Sequence, residues 1–219
     1  MVGGGPFNPL DRMNLGKSVA EAMLEQKPHP LGKLAKLTGA GIYAIYYIGD
    51  FPAYRILARQ NTEERFKRPI YVGKAVPAGA RKGGASADPD AEYPLYGRLR
   101  EHAKSVQQAN NLKIEDFMCR YLVVEDIWIP LGESLLIGRF SPVWNTLLDG
   151  FGNHNPGKGR YEGMVPRWDV LHPGRPWAPK FAPRPETAAQ IASEVENYLR
   201  IMPEPSPHML DDTNDGGSN

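Results

Sequence analysis

Arg98 and His102 stand four residues apart in the stretch LYGRLREHAKSVQQAN, so on a helix their side chains project together. A guanidinium offers a planar fork to a phosphate. An imidazole titrates near neutrality and can orient or deprotonate a water. Further along, Glu133 is the only carboxylate of GESLLIGRF. A single carboxylate can hold one Mg²⁺ that keeps most of its water, with Mn²⁺ as a substitute. Tyr43 in GIYAIYYIGD and Tyr71 in PIYVGKA sit in strand-like runs. A phenol there can position a nucleophile, or accept its proton where a nearby cation such as Lys74 lowers its pKa. Phosphodiester hydrolysis needs such a set: a water, a base, charge stabilisation on the phosphate and help for the leaving oxygen. Each residue also has a plainer reading. His102 shares a helix face with Leu95 and Leu99, as a core stripe would. A carboxylate at a helix start complements the macrodipole, and strand tyrosines commonly pack with polar tips.

Two tyrosines compete to be Tyr43's partner, because GIYAIYYIGD contains both G-I-Y and Y-I-G. On one strand Tyr43 and Tyr47 share a face about 13 Å apart, at roughly 3.3 Å per residue. The three residues between the tripeptides leave no room for a turn. Tyr71 lies 28 residues beyond Tyr43, far enough for the chain to reverse. Tyr71-Val72-Gly73 is therefore the second half, and Tyr47-Ile48-Gly49 reflects strand composition.

The elements that must carry these residues follow from periodicity and punctuation. The reading gives a helix at 14–27 stopped by Pro28, a connector PHPLGKLAKL, a strand at 41–48, a charged stretch at 53–68, a short strand IYVG, and a helix from Leu95. A third strand at 117–128, a helix from Gly132 to Phe140, a loop-rich region to about Pro185 and a closing helix at 186–202 complete it. Ile191, Val195, Tyr198 and Leu199 share one face of that last helix. The fold class is α+β: a small antiparallel or mixed three-stranded sheet flanked by helices. Residues 1–40 form an N-terminal helical arm, 41–150 a catalytic core with inserted loops at 51–68 and 75–94, 151–203 a C-terminal extension, and 204–219 a disordered acidic tail.

Composition narrows the class of partner. The chain has 219 residues with 41% hydrophobic and 23% charged, an ordinary globular balance, and 23 Gly with 21 Pro point to long loops. No apolar run reaches the roughly 18 residues of a membrane span, and the N-terminus lacks a secretory pattern. The one cysteine, Cys119, allows no disulfide within the chain and reads as a buried packing residue. These features point to a cytoplasmic protein without a membrane partner. The net charge of +1 hides an excess of five basic residues between 53 and 104, against a tail bearing Glu204, Asp211, Asp212 and Asp215. A basic centre suits a polyanion, although a solvated basic face would look the same.

The ordered set Gly41-Ile42-Tyr43, Tyr71-Val72-Gly73, Arg98 with His102, Glu133 and Asn145 resembles the GIY-YIG nuclease superfamily over roughly 41–145. Two departures stand out: Val72 replaces the usual Ile, and the gap between the tyrosine motifs is unusually long. The long gap, with GFGNHNPGKGRYEG and RWDVLHPGRPW beyond the core, is similar to the bacterial type II restriction enzymes of the superfamily that cut CCGCGG. The resemblance implies Tyr43 as general base with Tyr71 in support, Glu133 as the Mg²⁺ ligand, Asn145 fixing residues behind the site, and two-base 3′ overhangs. The residues alone leave the base open between Tyr43 and His102. Arg and Lys pair bidentately with guanine, so the expected double-stranded DNA contacts are Arg81, Lys82, Arg100, His154, Asn155, Lys158 and Arg160. A palindrome cut on both strands implies a homodimer, with the N-terminal helix and residues 51–68 as candidate dimer elements. A repair or homing nuclease of the superfamily, and a non-catalytic DNA-binding module, are the alternatives.

Overall fold

The structure is a computed structural model that describes residues 11–63, 65–76, 92–155, 157 and 161–203. Its centre is the strand β2 (Gly41–Tyr47), in which all seven residues are buried. Ile, Ala and Tyr on both faces of this segment mean that it can only be stable with cover on both sides. The chain order is α1 (Arg12–Leu24), β1 (His29–Pro30), β2, α2 (Arg55–Asn61), β3 (Tyr71–Ala75), α3 (Pro94–Gln108), β4 (Phe117–Val123), α4 (Ile129–Phe140), α5 (Val143–Thr146), α6 (Arg167–Leu171) and α7 (Ala188–Ile201).

The sheet has four strands in the order β1-β4-β2-β3, and every pairing is antiparallel. The expected third strand of 117–128 stops at Val123, and residues 125–128 turn directly into α4. The fourth strand is the two-residue β1, inside the expected connector; it pairs His29 with Cys119 and stacks the His29 ring on Tyr121. Gly41 is required by the β2–β4 pairing, since a Cβ there would lie 2.0 Å from the Leu122 carbonyl oxygen.

Two cores result, one on each face. Ile42, Ala44, Tyr46 and Val72 pack with α1 and α4 through Ala20, Met23, Ile129, Leu136 and Phe140. Tyr43, Ile45 and Tyr47 pack with α3, the 143–171 segment and α7. Burial of each large side chain contributes on the order of 2 kcal/mol. Helix α1 is capped by Asp11, whose carboxylate accepts the Met13 amide at 2.8 Å. It lies close on α4, where a Cβ at Gly16 would come within 2.4 Å of Leu135. Helix α7 starts in a capping box of Thr187 and Gln190 and buries Ile191, Val195 and Leu199. Tyr198, half-buried, donates to the Ser141 carbonyl at 2.6 Å. Cys119 is buried in the second core, beside Ile45, and burial pushes its thiol up to about 12, as befits an unreactive packing residue.

No helix among the described residues is long and apolar enough to cross a membrane. The expected acidic tail at 204–219 and most of the loop at 75–94 lie outside the described residues.

Candidate active site

The site wraps over the edge strand β3. Tyr43 on β2 faces Gly73 on β3, and Tyr71 faces Ile45 two pairs along. The Tyr43 ring lies across β3 in the space that Gly73 leaves: a Cβ at Gly73 would be 2.5 Å from the Tyr43 hydroxyl oxygen and 2.9 Å from Tyr71. The two phenol rings are 6.3 Å apart. Tyr47 is elsewhere in the core. Its ring packs on Tyr54 and Phe117, and its hydroxyl accepts the Phe51 amide at 2.7 Å.

Helix α3 brings Arg98 and His102 onto the same side. Its stripe of Leu95, Leu99, His102 and Val106 is buried, so His102 does share the core face. It is nonetheless bonded: Nε2 lies 2.7 Å from the Tyr43 hydroxyl. Its ring stacks on Phe151 at 4.6 Å and meets the edge of Tyr71 at 5.0 Å. Burial, then the charge of Arg98, hold the imidazole pKa well below its ordinary value. Burial first, then Tyr71, push the Tyr43 phenol well above its own, with Arg98 opposing. Both groups are therefore neutral near pH 7, and with the proton of His102 on Nδ1 the Tyr43 hydroxyl donates to Nε2. Arg98 donates from Nη2 to the Gly152 carbonyl at 2.9 Å, and from Nη1 to His154 Nε2 at 2.6 Å and to Glu101 at 3.2 Å.

The other face of β3 carries Lys74, whose Nζ is 2.6 Å from a Glu133 carboxylate oxygen. Glu133 was expected at a helix start, but α4 begins at Ile129 with Pro130 in its first turn, so Glu133 lies one turn inside. Its side chain is 18% exposed. Behind burial and other causes, its charge raises both Tyr43 and Tyr71, so it acts on the site across the strand edge. Among the described residues no group of three or more His, Cys, Asp or Glu could hold a metal. A lone, partly exposed carboxylate still fits a Mg²⁺ that keeps most of its water.

Asn145 does not face the site. Its amide clamps Val72, accepting its N–H and donating to its C=O, each at 2.8 Å. With the Trp144 amide donating to the Ile70 carbonyl at 3.0 Å, this satisfies the free edge of β3 as a further strand would.

Of the expected DNA contacts, Arg81, Lys82, Lys158 and Arg160 lie outside the described residues. Arg100 is exposed beside Tyr96, with its guanidinium 5.7 Å from that ring. Asn155 folds its own loop, accepting from the Gly157 amide at 3.0 Å and the Tyr161 hydroxyl at 2.6 Å. His154 reaches inward to Arg98 and Glu101.

Three residues that the sequence reading passed over complete the arrangement. Phe151 supports the His102 ring, and Gly152 supplies the carbonyl that holds Arg98. A Cβ at Gly152 would sit 3.0 Å from Arg98 and 3.1 Å from the Tyr71 hydroxyl. Arg175, 1% exposed, fixes this loop. It donates to the carbonyls of Gly150 at 2.9 Å, Phe151 at 3.2 Å and Asn153 at 3.3 Å. Its fork is matched by Asp169, with Nε to Oδ1 at 2.6 Å, and its plane lies between Trp168 and Trp177 at 4.5 and 4.3 Å.

Two tyrosines converging over a sheet edge, with an Arg and a His on the adjoining helix and a Glu across the strand, define the GIY-YIG nuclease class. The chain matches the model of the Eco29kI GIY-YIG domain over residues 35–199 and belongs to that family. It is accordingly a nuclease domain that handles DNA. No curated protein matches the chain.

Proposed function

We propose that the protein is a Mg²⁺-dependent type II restriction endonuclease that cuts both strands of a double-stranded palindrome, CCGCGG, leaving two-base 3′ overhangs. The observation that carries the hydrolytic part is the 2.7 Å contact between the buried Tyr43 hydroxyl and His102, beside Arg98. Water bound against the Tyr43 oxygen gives its proton to that oxygen as the Tyr43 proton moves to His102 Nε2. The hydroxide formed attacks the phosphorus. A neutral His102 can accept that proton, whereas an imidazolium could not. Arg98 holds the phosphate with its fork, leaving Glu101 and His154 as the phosphate takes their place. Tyr71 bounds the water on the other side.

Glu133 would hold Mg²⁺, with Mn²⁺ as a substitute, and the ion would neutralise charge developing on the leaving oxygen. Lys74 balances the carboxylate until then, and its ammonium stays beside the site. Cutting of a palindrome is assigned to a homodimer on DNA, with one nick per protomer. The specificity and the stagger rest on the resemblance of the long inter-motif gap and the C-terminal extension to the CCGCGG branch.

Digestion of phage DNA with Mg²⁺ and with EDTA, followed by end sequencing, tests this reading. Discrete Mg²⁺-dependent fragments whose ends all fall within CCGCGG are expected. A smear or nicks would favour a repair or homing nuclease, and intact but retarded DNA a binding module.

A further inference from the structure

Beside Arg98 the surface opens into a groove of about 370 Å³ that the catalytic chemistry leaves unused. One wall is a stripe of α3, with Glu101, Lys104 and Gln108 among its residues; the other comes from the 153–155 and 176–180 segments. The groove begins at Glu101 and His154, the two side chains bonded to Arg98 Nη1. Its negative charge is already spent, because the Glu101 carboxylate pairs with Arg98. Its positive charge is not. Lys104 is exposed and makes no ion pair among the described residues. Lys180 is exposed too, its ammonium 5.4 Å from the Tyr161 ring. Polar donors of Gln108 and Asn153 line the space between them.

We propose that this groove binds the sugar–phosphate backbone of the DNA strand being cut, two to three nucleotides from the phosphate held by Arg98, with Lys104 and Lys180 as its phosphate contacts. The proposal rests on the nuclease reading above. The spacing suits it. Lys104 is six residues from Arg98, about 9 Å along the helix at 1.5 Å per residue, and bases rise about 3.4 Å per step along one strand. The groove is too small for a duplex and fits a length of one strand. Contacts of this kind set register and affinity and carry no sequence information.

The test uses the full-length protein and a duplex bearing the site found by the phage DNA digestion. Binding is measured without Mg²⁺ over a range of salt for the wild type, the Lys104→Ala/Lys180→Ala double variant, and a charge-matched Lys27→Ala/Lys33→Ala control beside β1. Loss of two phosphate contacts lowers the slope of log K against log salt by about 1.8, and lowers affinity at 0.1 M salt roughly tenfold to hundredfold. Neutral methylphosphonates placed two and three nucleotides from the cut should then make wild type and double variant bind alike. An unchanged slope in the double variant overturns the proposal. So does an equal loss in the control, or a double-variant deficit that persists wherever the methylphosphonates are placed. A wild type that cuts no DNA overturns the nuclease reading itself, and is distinguishable because it fails before any variant is made.

Discussion

The Tyr43 hydroxyl lies 2.7 Å from His102 Nε2, in a site where burial keeps both groups neutral. In the proposed mechanism His102 is the proton acceptor of the pair and Tyr43 the group that touches water. Tyr43→Phe and His102→Ala should each lower the single-turnover cleavage rate by roughly 10²–10⁴-fold, the usual worth of general acid–base catalysis, with DNA affinity within a few-fold of wild type. Tyr47→Phe should cut normally, because the Tyr47 hydroxyl is turned to the Phe51 amide and away from Tyr43 and His102. The pH dependence has a definite sign. A base whose pKa is depressed stays unprotonated to lower pH, so the rate at saturating Mg²⁺ should not fall as pH drops through 6.5. A knee at that pH would show that the base is an ordinary exposed imidazole.

Gly73 gives a steric test of the same arrangement. An Ala Cβ there would meet the oxygen of the buried Tyr43 at 2.5 Å and the ring of the half-buried Tyr71 at 2.9 Å. Gly73→Ala should destabilise by about 1–3 kcal/mol, as overpacking does, and reduce cleavage by more than tenfold. Gly138→Ala, on the exposed side of α4 with nothing within 4 Å of the added methyl, should instead stabilise by about 0.5–1 kcal/mol. Thermal unfolding of the two variants separates these outcomes, and equal behaviour would mean that the Tyr43 ring does not lie over Gly73.

How far the sequence foretold these residues depends on what kind of atom does the work. Tyr43 and Tyr71 were legible because strand rise and turn length are arithmetic, and that arithmetic rejected Tyr47. Arg98 and His102 were legible because four residues is a helical period. The start of α4 was not, although Pro130 is an ordinary first-turn proline: the β-like run through Val124 read on to residue 128, whereas the strand is set by pairing to β2, whose first residue Gly41 lies opposite Val123. The 151–185 region read as loop, yet it holds α6 and the Arg175 anchor. Arg175 works on backbone carbonyls, and a carbonyl leaves no trace in residue type. The Asp169 six residues before it and the tryptophans around it were the only signal.

Arg175 is predicted to act on the rate through Phe151 and Gly152. Arg175→Lys keeps the charge opposite Asp169 but cannot reach three carbonyls at once. Cleavage should fall ten- to hundredfold while DNA binding stays within about threefold. An Asp169→Asn/Arg175→Met double variant, which leaves no unpaired buried charge, should show the same split. Binding and cleavage falling together in both variants would mean that Arg175 supports the fold alone.

Glu133→Ala should abolish Mg²⁺-dependent cutting and spare DNA binding, since it removes the proposed Mg²⁺ ligand and leaves the basic surface, now without the Lys74–Glu133 pair. Binding without metal should even tighten slightly, because a negative charge has gone. Residual Mg²⁺-dependent cleavage within tenfold of wild type would remove Glu133 from the metal site.

Acid stability is governed in part by a second histidine, away from the reaction. His172 accepts the Tyr54 hydroxyl at 2.5 Å through Nε2 and donates from Nδ1 to Asn111 at 2.9 Å, while Trp144 donates to the Tyr54 oxygen at 2.8 Å. Every polar atom in this buried chain has its partner only when His172 is neutral. Burial lowers its pKa to about 3, against an ordinary 6.5. The unfolded chain then binds a proton at higher pH than the folded one does, so stability is full above 6.5 and declines as pH falls from 6.5 towards 3. At about 1.4 kcal/mol per unit, the loss from this one group at pH 5 is about 2 kcal/mol. His172→Gln preserves an acceptor and a donor but does not titrate. In urea unfolding at pH 7 and pH 5, wild type should lose about 2 kcal/mol more than the Gln variant, with His102 and the carboxylates contributing equally to both. Matched losses would place the acid sensitivity elsewhere.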